Sequence, residues 1–434
     1  MMAGEVIIER LASGGSGVGR IGDKVCFVPF SAPGDRLSVR VVKEHRSWCE
    51  AELVELREAS PLRVSPVCPA FGSCGGCDWQ HLRYSAQTEA KEAILRETLQ
   101  RVGKLVDPPV LPAMAAPAPY GYRARAQFKL HRAPEGLYAG FYRRGSRFVI
   151  DLPQGCPVVT PAVNSAMLRL KGLLAELPDA DRVPQLSIEE GEAGCHAVVH
   201  YIGNDPERLG AYLTAGRETL GLAGLCLQQG RKETMTRLFG ETRVTYRVSS
   251  DGHDFLLGYG LGGFSQVNRQ QNRAMIGLVR RLLKPQATGR LLDLYCGNGN
   301  FAIPLADRFE RVVGIEGFEP SIASAVDNSR QAHVNNSTFR TAEVVAELRH
   351  LAAGAESCAV VLLDPPRTGA FEAVQLLPVL RAPQILYVSC DPGTLARDLS
   401  FLVHQGGYRL ECVHPLDMFP QTGHLETVVS LIRS

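Results

Sequence analysis

The sequence predicts a multidomain α/β protein: a small OB-like β-barrel at the amino end, a β-rich central domain, and a doubly wound, Rossmann-like sheet at the carboxyl end. Three observations carry this reading. Residues 1–60 alternate short β-type runs with glycine-rich turns, the pattern of a small barrel. Residues 120–260 mix strand patterns with two helical ones. Beyond residue 290, β-type runs are separated mostly by helical patterns, which is how a parallel, doubly wound sheet is written in sequence.

A length of 434 residues suits about three domains, with boundaries placed at 1–60, 61–260 and 261–434. With 45% hydrophobic and 21% charged residues, the composition is that of an ordinary soluble protein with a sizeable core. No uncharged apolar run approaches the ~18 residues of a membrane span. The segment from Met1 to Arg10 carries Glu5, Glu9 and Arg10 where a secretion signal would be apolar, so the cytoplasm is the expected location. Twelve cysteines in that compartment argue for metal, cluster or catalytic roles over disulfides.

The net charge of +2 neither demands nor excludes nucleic acid. Local basic groups say more: Arg36, Arg40, Lys43 and Arg46; then Arg123, Arg125, Lys129, His131 and Arg132; then Arg143, Arg144 and Arg147. Tyr120, Tyr122, Phe128, Phe141, Tyr142 and Phe148 lie among the last two groups, a combination suited to phosphate contact with base stacking. A solvated basic face is the plainer reading of any one group.

In the amino-terminal segment, Val6-Ile7-Ile8 leads into Gly14-Gly15-Ser16-Gly17-Val18-Gly19, followed by the runs Val25–Val28, Leu37–Val42 and Ala51–Leu56. No strand-turn-helix unit surrounds these glycines, so they form no dinucleotide or phosphate fingerprint. The segment resembles a TRAM domain, the small RNA-binding barrel attached to several RNA-modifying enzymes.

Cys68, Cys74 and Cys77 then fall within ten residues, joined by small residues that let backbone pass close to a metal. Cys156, on a turn before Pro157, is the best candidate for a fourth ligand. Thiolates so spaced hold either a [4Fe-4S] cluster or tetrahedral zinc, and the residues alone leave both open. The five-residue first gap disfavours the Cys-x3-Cys-x2-Cys pattern of radical enzymes. A helix follows, capped by Ser85, with Ile94, Leu95, Leu99 and Val102 along one face and an end near Gly103. Residues 160–177 and 206–220 also read as helices, and Arg123–Leu130 and Ala197–Tyr201 as strands.

In the last third, Leu291–Tyr295, Val312–Glu316, Ala359–Asp364, Gln384–Cys390 and Thr427–Ile432 are the β-type runs. The turn Asp293-Leu294-Tyr295-Cys296-Gly297-Asn298-Gly299-Asn300 follows the first, and Glu316 stands 23 residues after Asp293, placed to bond ribose hydroxyls. Ala302 occupies the place of a third fingerprint glycine, so a dinucleotide is not indicated. The turn resembles the nucleoside-binding turn of class I S-adenosylmethionine methyltransferases. Asp364-Pro365-Pro366-Arg367 closes the third run on a loop that two prolines stiffen. Cys390 ends the fourth run before Asp391-Pro392-Gly393, at the sheet end that faces the ligand crevice in such folds.

Together with Gly262-Gly263-Phe264-Ser265-Gln266 upstream and His424-Leu425-Glu426 downstream, these motifs closely resemble the RNA 5-methyluridine methyltransferase family over nearly the whole chain. The resemblance implies S-adenosylmethionine as methyl donor, a [4Fe-4S] cluster on Cys68, Cys74, Cys77 and Cys156, and 23S ribosomal RNA as substrate. A transfer RNA uridine is the nearest alternative and an inert RNA-binding protein a more distant one. It further implies Cys390 as nucleophile, Glu426 as base, and Gln266, Tyr295, Asn300, Glu316, Glu343 and Asp364 as cofactor contacts. Phe264 would touch the target base or the cofactor. The roles match chemical need: carbon 5 of uracil becomes nucleophilic only after a thiolate adds at carbon 6, and a base must then remove the carbon 5 proton. A monomer is expected, and no chemistry at Cys26, Cys49, Cys195, Cys226, Cys296, Cys358 or Cys412.

Overall fold

The computed structural model describes residues 3–230, 234–285, 288–354 and 357–434. At the amino end, β1 (Ala3–Leu11), β2 (Gly17–Ile21), β3 (Lys24–Val28), β4 (Arg36–Glu44) and β5 (Trp48–Glu58) close into a barrel in the order β1-β2-β3-β5-β4. Closure leaves no free strand edge. Val6, Ile8, Val28, Leu37, Val39 and Ala51 fill its interior. Buried Asp35 accepts from Ala32 N at 2.6 Å and Ser60 N at 2.9 Å and pairs with Arg63 at 2.7 Å, fastening the barrel to the segment that follows.

Helix α1 (Tyr84–Arg101) begins one residue before the expected cap. Its Leu95 and Leu99 are buried with Leu395, Ala396 and Leu399 of the carboxyl-terminal sheet's outer helix layer. Val102 falls on the same stripe but is exposed, because the helix has ended there and Leu105 takes the buried place. The central domain is a seven-stranded sheet built from β6 (Arg125–Ala133), β7 (Gly136–Tyr142), β8 (Val149–Asp151), β9 (Gln185–Gly191), β10 (Gly194–Tyr201), β11 (Gly224–Gln229) and β12 (Thr234–Gly240). Against it lies α2 (Pro161–Ala175), whose Val163, Ala166, Met167, Leu170 and Leu174 recur at helical spacing and are fully buried. Gly216 divides the 206–220 helical stretch into α3 (Pro206–Ala215) and α4 (Arg217–Leu220).

A hairpin of β13 (Arg243–Ser250) and β14 (His253–Gly260) leads through α5 (Arg269–Leu282) to the last sheet. Its elements are β15 (Arg290–Leu294), β16 (Arg311–Glu316), α6 (Glu319–Gln331), β17 (Ser337–Thr341), α7 (Val344–Ala353), β18 (Val360–Leu363), α8 (Phe371–Leu376), β19 (Gln384–Ser389), α9 (Pro392–His404), β20 (Tyr408–Leu416) and β21 (Glu426–Arg433). The strand order is β17-β16-β15-β18-β19-β21-β20. Leu292, Val361 and Ile385 face one core and Leu291, Val360 and Leu386 the other, so the strands are apolar on both faces, as a helix-covered sheet requires.

The all-parallel expectation needs one correction. β21 runs antiparallel to both β19 and β20. A loop, 417–425, joins β20 to β21 where a helical crossover would be needed for parallel neighbours. That reversal decides where Glu426 lies.

Candidate active site

Strand β19 delivers Cys390 to the carboxyl end of the sheet. Ser389 pairs with Thr427 across the antiparallel ladder, so the next rung sets Cys390 opposite Glu426. Had β21 been parallel, its first residue would stand at the far end of the sheet. Cys390 is half-buried, while Glu426 is 2% exposed. Asp391, the next residue, caps α9 by accepting from Gly393 N and Thr394 N, each at 2.9 Å. The thiol therefore stands just before a helix amino terminus, where the dipole favours a thiolate.

The third wall comes from β18. Asp364 follows that strand directly, and Arg367 three residues later adds a charge of opposite sign that acts on both Cys390 and Glu426. Thr394 Oγ1 donates to Arg367 O at 3.2 Å and Ala370 N to Asp398 Oδ2 at 2.8 Å, which fix this loop to α9. Burial, and then the Glu426 carboxylate, push the Cys390 thiol up to about 11, with Arg367 opposing. Burial, and then Asp364, hold the Glu426 carboxyl well above the usual range. Asp364 is pushed by burial to about 7. A thiol, a carboxyl and a cation that favours the anionic forms of both thus stand together at one end of the sheet, a grouping suited to covalent catalysis. Sequence reading named Arg367 only as part of a motif; its signal was a cation placed just after a proline-stiffened acid.

Beside this cleft, the turn after β15 is left-handed at Tyr295 (φ 60°) and Gly297 (φ 52°), an arrangement costly for tyrosine and typical of ligand sites. At Gly299 (φ 85°) a Cβ would come within 2.6 Å of Ile303. Asp293 Oδ2 accepts from Ala302 N at 3.0 Å, while its Oδ1 is buried with no partner among the described residues. Glu316 gives one oxygen to Phe318 N at 2.8 Å. Glu343 caps α7 with both oxygens, accepting from Val345 N at 3.0 Å and Ala346 N at 2.7 Å. Both Glu343 and Glu316 act on Tyr295, whose phenol burial pushes up to about 12. Asn300 is held by Asn272 of α5 and Tyr246 of the hairpin. Gln266 is half-buried on the strap before α5, and Asn268 clips that strap to Met418 O at 3.2 Å. Phe264, on the same strap, is 71% exposed.

The four candidate cysteines converge elsewhere. Cys68, Cys74, Cys77 and Cys156 line one cavity of about 160 Å³ with Gln80, Phe141 and Leu152. Burial pushes Cys77 up to about 12 and Cys156 to about 11. Among the described residues no three donor side chains come close enough to hold a single metal ion. The cysteine loop reaches the active site through the 417–425 loop: Asp78 N and Trp79 N both donate to Gln421 O at 3.0 Å.

Fold and site thus set a thiol and a carboxyl together at the carboxyl end of a mostly parallel, helix-covered sheet. The model of the tRNA (uracil-5-)-methyltransferase family matches residues 83–434, and that of the TRAM domain residues 4–54. The 23S rRNA (uracil(1939)-C(5))-methyltransferase RlmD of Alkalilimnicola ehrlichii is 37% identical over 98% of this chain and 95% of its own length. Its namesake from Thiobacillus denitrificans is 34% identical over 98% of each. The crystal structure of Pyrococcus abyssi tRNA (uracil-54, C5)-methyltransferase in complex with S-adenosyl-L-homocysteine superposes with a TM-score of 0.76 at 27% identity, covering 99% of this chain and 100% of that one. The chain belongs to the RNA uracil-C5-methyltransferase family and is an S-adenosylmethionine-dependent enzyme of that class.

Proposed function

We propose that this protein methylates carbon 5 of a uridine in 23S ribosomal RNA through a transient bond between Cys390 and carbon 6. The observation that carries the reading is the antiparallel rung that sets Cys390 against Glu426. Full-length likeness to relatives named for 23S ribosomal RNA favours that substrate. S-adenosylmethionine supplies the electrophilic methyl group. Tyr295, Asn300, Glu316, Glu343 and Asp364 would hold it along the carboxyl ends of β15, β16, β17 and β18, with Gln266 on the strap before α5. Cys390, as thiolate, adds to carbon 6 and sends the electron pair toward the carbon 4 oxygen, which makes carbon 5 the nucleophile. After transfer, Glu426 takes the carbon 5 proton; the released pair restores the 5,6 double bond and expels the thiolate. Arg367 favours the anionic forms of both groups. Phe264, exposed on the cleft strap, meets the base that leaves its stack.

Cys68, Cys74, Cys77 and Cys156 fit a [4Fe-4S] cluster better than zinc. A cluster spreads four thiolates over four irons, which suits donors that line a common cavity without closing on one ion. Its part would be to crosslink the cysteine loop to the turn at Cys156. One chain furnishes every candidate residue, consistent with a monomer, and a ribosomal RNA substrate with a cytoplasmic one.

The test is transfer of labelled methyl to unmodified 23S ribosomal RNA and to unmodified transfer RNA, with nucleoside analysis. Label in 5-methyluridine of the ribosomal RNA supports the reading. Label confined to transfer RNA overturns the substrate, and undiminished transfer by Cys390→Ala overturns the covalent step.

A further inference from the structure

The basic groups visible in the sequence are not equally free. In the barrel, Arg36, Arg40 and Lys43 pair with Glu58, Glu52 and Glu50. In the central sheet, Arg125 pairs with Glu189, Lys129 donates to Gln185, and Arg132 donates to the carbonyls of Ala175 and Leu177. The turn between β7 and β8 is different. Arg143 and Arg147 are exposed, and neither pairs with a carboxylate among the described residues. Phe148 beside them is 73% exposed and Tyr142 40%. A surface cavity of about 650 Å³ runs between this turn and the backbone of Gly75 and Gly76.

The turn is also held in place before any ligand arrives. Gly75 N donates to Tyr142 O and Arg144 N to Ser73 O, each at 3.0 Å. Arg144 bonds Asp78 and lays its guanidinium 4.9 Å from the centre of the Phe30 ring of the barrel. So Arg144 fastens the turn to the barrel and the cysteine loop, leaving its two neighbours unneutralised. Two free cations and an uncovered aromatic ring on a fixed groove complement a phosphate backbone with unstacked bases.

We propose that the Arg143–Phe148 turn, with Gly75 and Gly76, docks a single-stranded segment of the RNA substrate, phosphates on Arg143 and Arg147 and a base on Phe148. The inference rests on the reading of this chain as an RNA methyltransferase. Through Asp78, which bonds both Arg144 and Gln421, the docked strand borders the loop that leads to Glu426.

The test is binding of a fluorescent oligouridylate to the full-length protein across a salt series, beside methyl transfer to unmodified 23S ribosomal RNA. Arg143→Ala/Arg147→Ala should weaken binding roughly tenfold or more near 0.1 M salt and lower the log-log salt slope by about 1.4, the share of two single-strand phosphate contacts. Phe148→Ala should weaken it about fivefold or more with the slope unchanged. Arg330→Ala on α6 controls for lost charge, and thermal melts control for folding. An unaltered slope in the double variant, an equal fall in Arg330→Ala, or no binding by wild type overturns the surface. If wild type fails to methylate the ribosomal RNA while the double variant still loses oligouridylate binding, the functional reading falls and the surface stands.

Discussion

Lys91 Nζ donates to Asp417 Oδ1 at 2.5 Å, and both side chains are wholly inaccessible to solvent. Lys91 comes from α1 and Asp417 from the first position after β20, so the pair joins the helix that follows the cysteine loop to the segment that leads to Glu426. Burial draws the Lys91 ammonium below its ordinary range, and Asp417 opposes that shift. Replacing one partner strands a buried charge, which costs about 3–5 kcal/mol, whereas replacing both with apolar residues of similar volume is often close to neutral. Lys91→Met should therefore lower the denaturant midpoint sharply, and Lys91→Met/Asp417→Leu should recover most of the loss. Equal losses in both variants would mean that the pair contributes packing alone.

The two cleft carboxyls make stability depend on pH in an unusual direction. Burial raises Asp364 to about 7 and holds Glu426 well above its ordinary value. The folded chain thus keeps protons that the unfolded chain releases near pH 4. With more protons bound in the folded state, stability falls as pH rises, by up to about 1.4 kcal/mol per pH unit for each group. For Asp364 the fall spans about pH 4 to 7. Asp364→Asn removes that group's share and one cause of the Glu426 shift, so its melting temperature without ligand should decline less over this window. Parallel wild-type and variant curves would refute the assignment.

In the proposed mechanism, Glu426 acts after the methyl group has moved. If it removes the carbon 5 proton, Glu426→Gln should form the Cys390 bond and transfer the methyl group yet fail to release product. A methylated RNA–protein adduct stable to denaturing electrophoresis should accumulate, and Cys390→Ala in the same background should abolish it. Full turnover by Glu426→Gln would assign the proton to another base.

Much of this architecture was legible because local pattern and tertiary role agree. Glycine turns between short runs become the barrel, and Asp364, Cys390 and Glu426 each sit at a strand end marked by a proline or an apolar run. β17 and β20 escaped notice since Ser337–Thr341 is mostly polar and Tyr408–Leu416 breaks its alternation at a bulge between Leu410 and Cys412. The hairpin β13–β14 carries charges on its open face. The reversal of β21 has no local signature at all, because direction is set by which strand the 417–425 loop can reach. Nor could spacing distinguish Arg143 and Arg147 from Arg36, Arg40, Arg125 and Arg132, whose carboxylate and carbonyl partners lie on other elements of the fold.

That loop joins the cysteine motif to the strand that begins at Glu426. Gln87, fully buried on α1, sets its Nε2 3.1 Å from Trp79 O, 2.9 Å from Leu82 O and 2.9 Å from Gln421 Oε1, with two hydrogens to share among them, and its Oε1 accepts from Gln421 N at 3.0 Å. Gln421 holds a left-handed backbone (φ 70°) within this mesh, a conformation that persists only where surroundings enforce it. Gln87→Ala leaves these partners buried and unmet, at roughly 1–3 kcal/mol for each unsatisfied group. If the loop opens as a local unit before the sheet does, the loss should concentrate there. Hydrogen exchange of residues 417–424 should accelerate at least tenfold, with β15 and β18 unchanged, and methyl transfer should fall because Glu426 is anchored from one side only. Uniform acceleration across the sheet would instead make Gln87 a general stability residue and detach the cysteine loop from the positioning of the base.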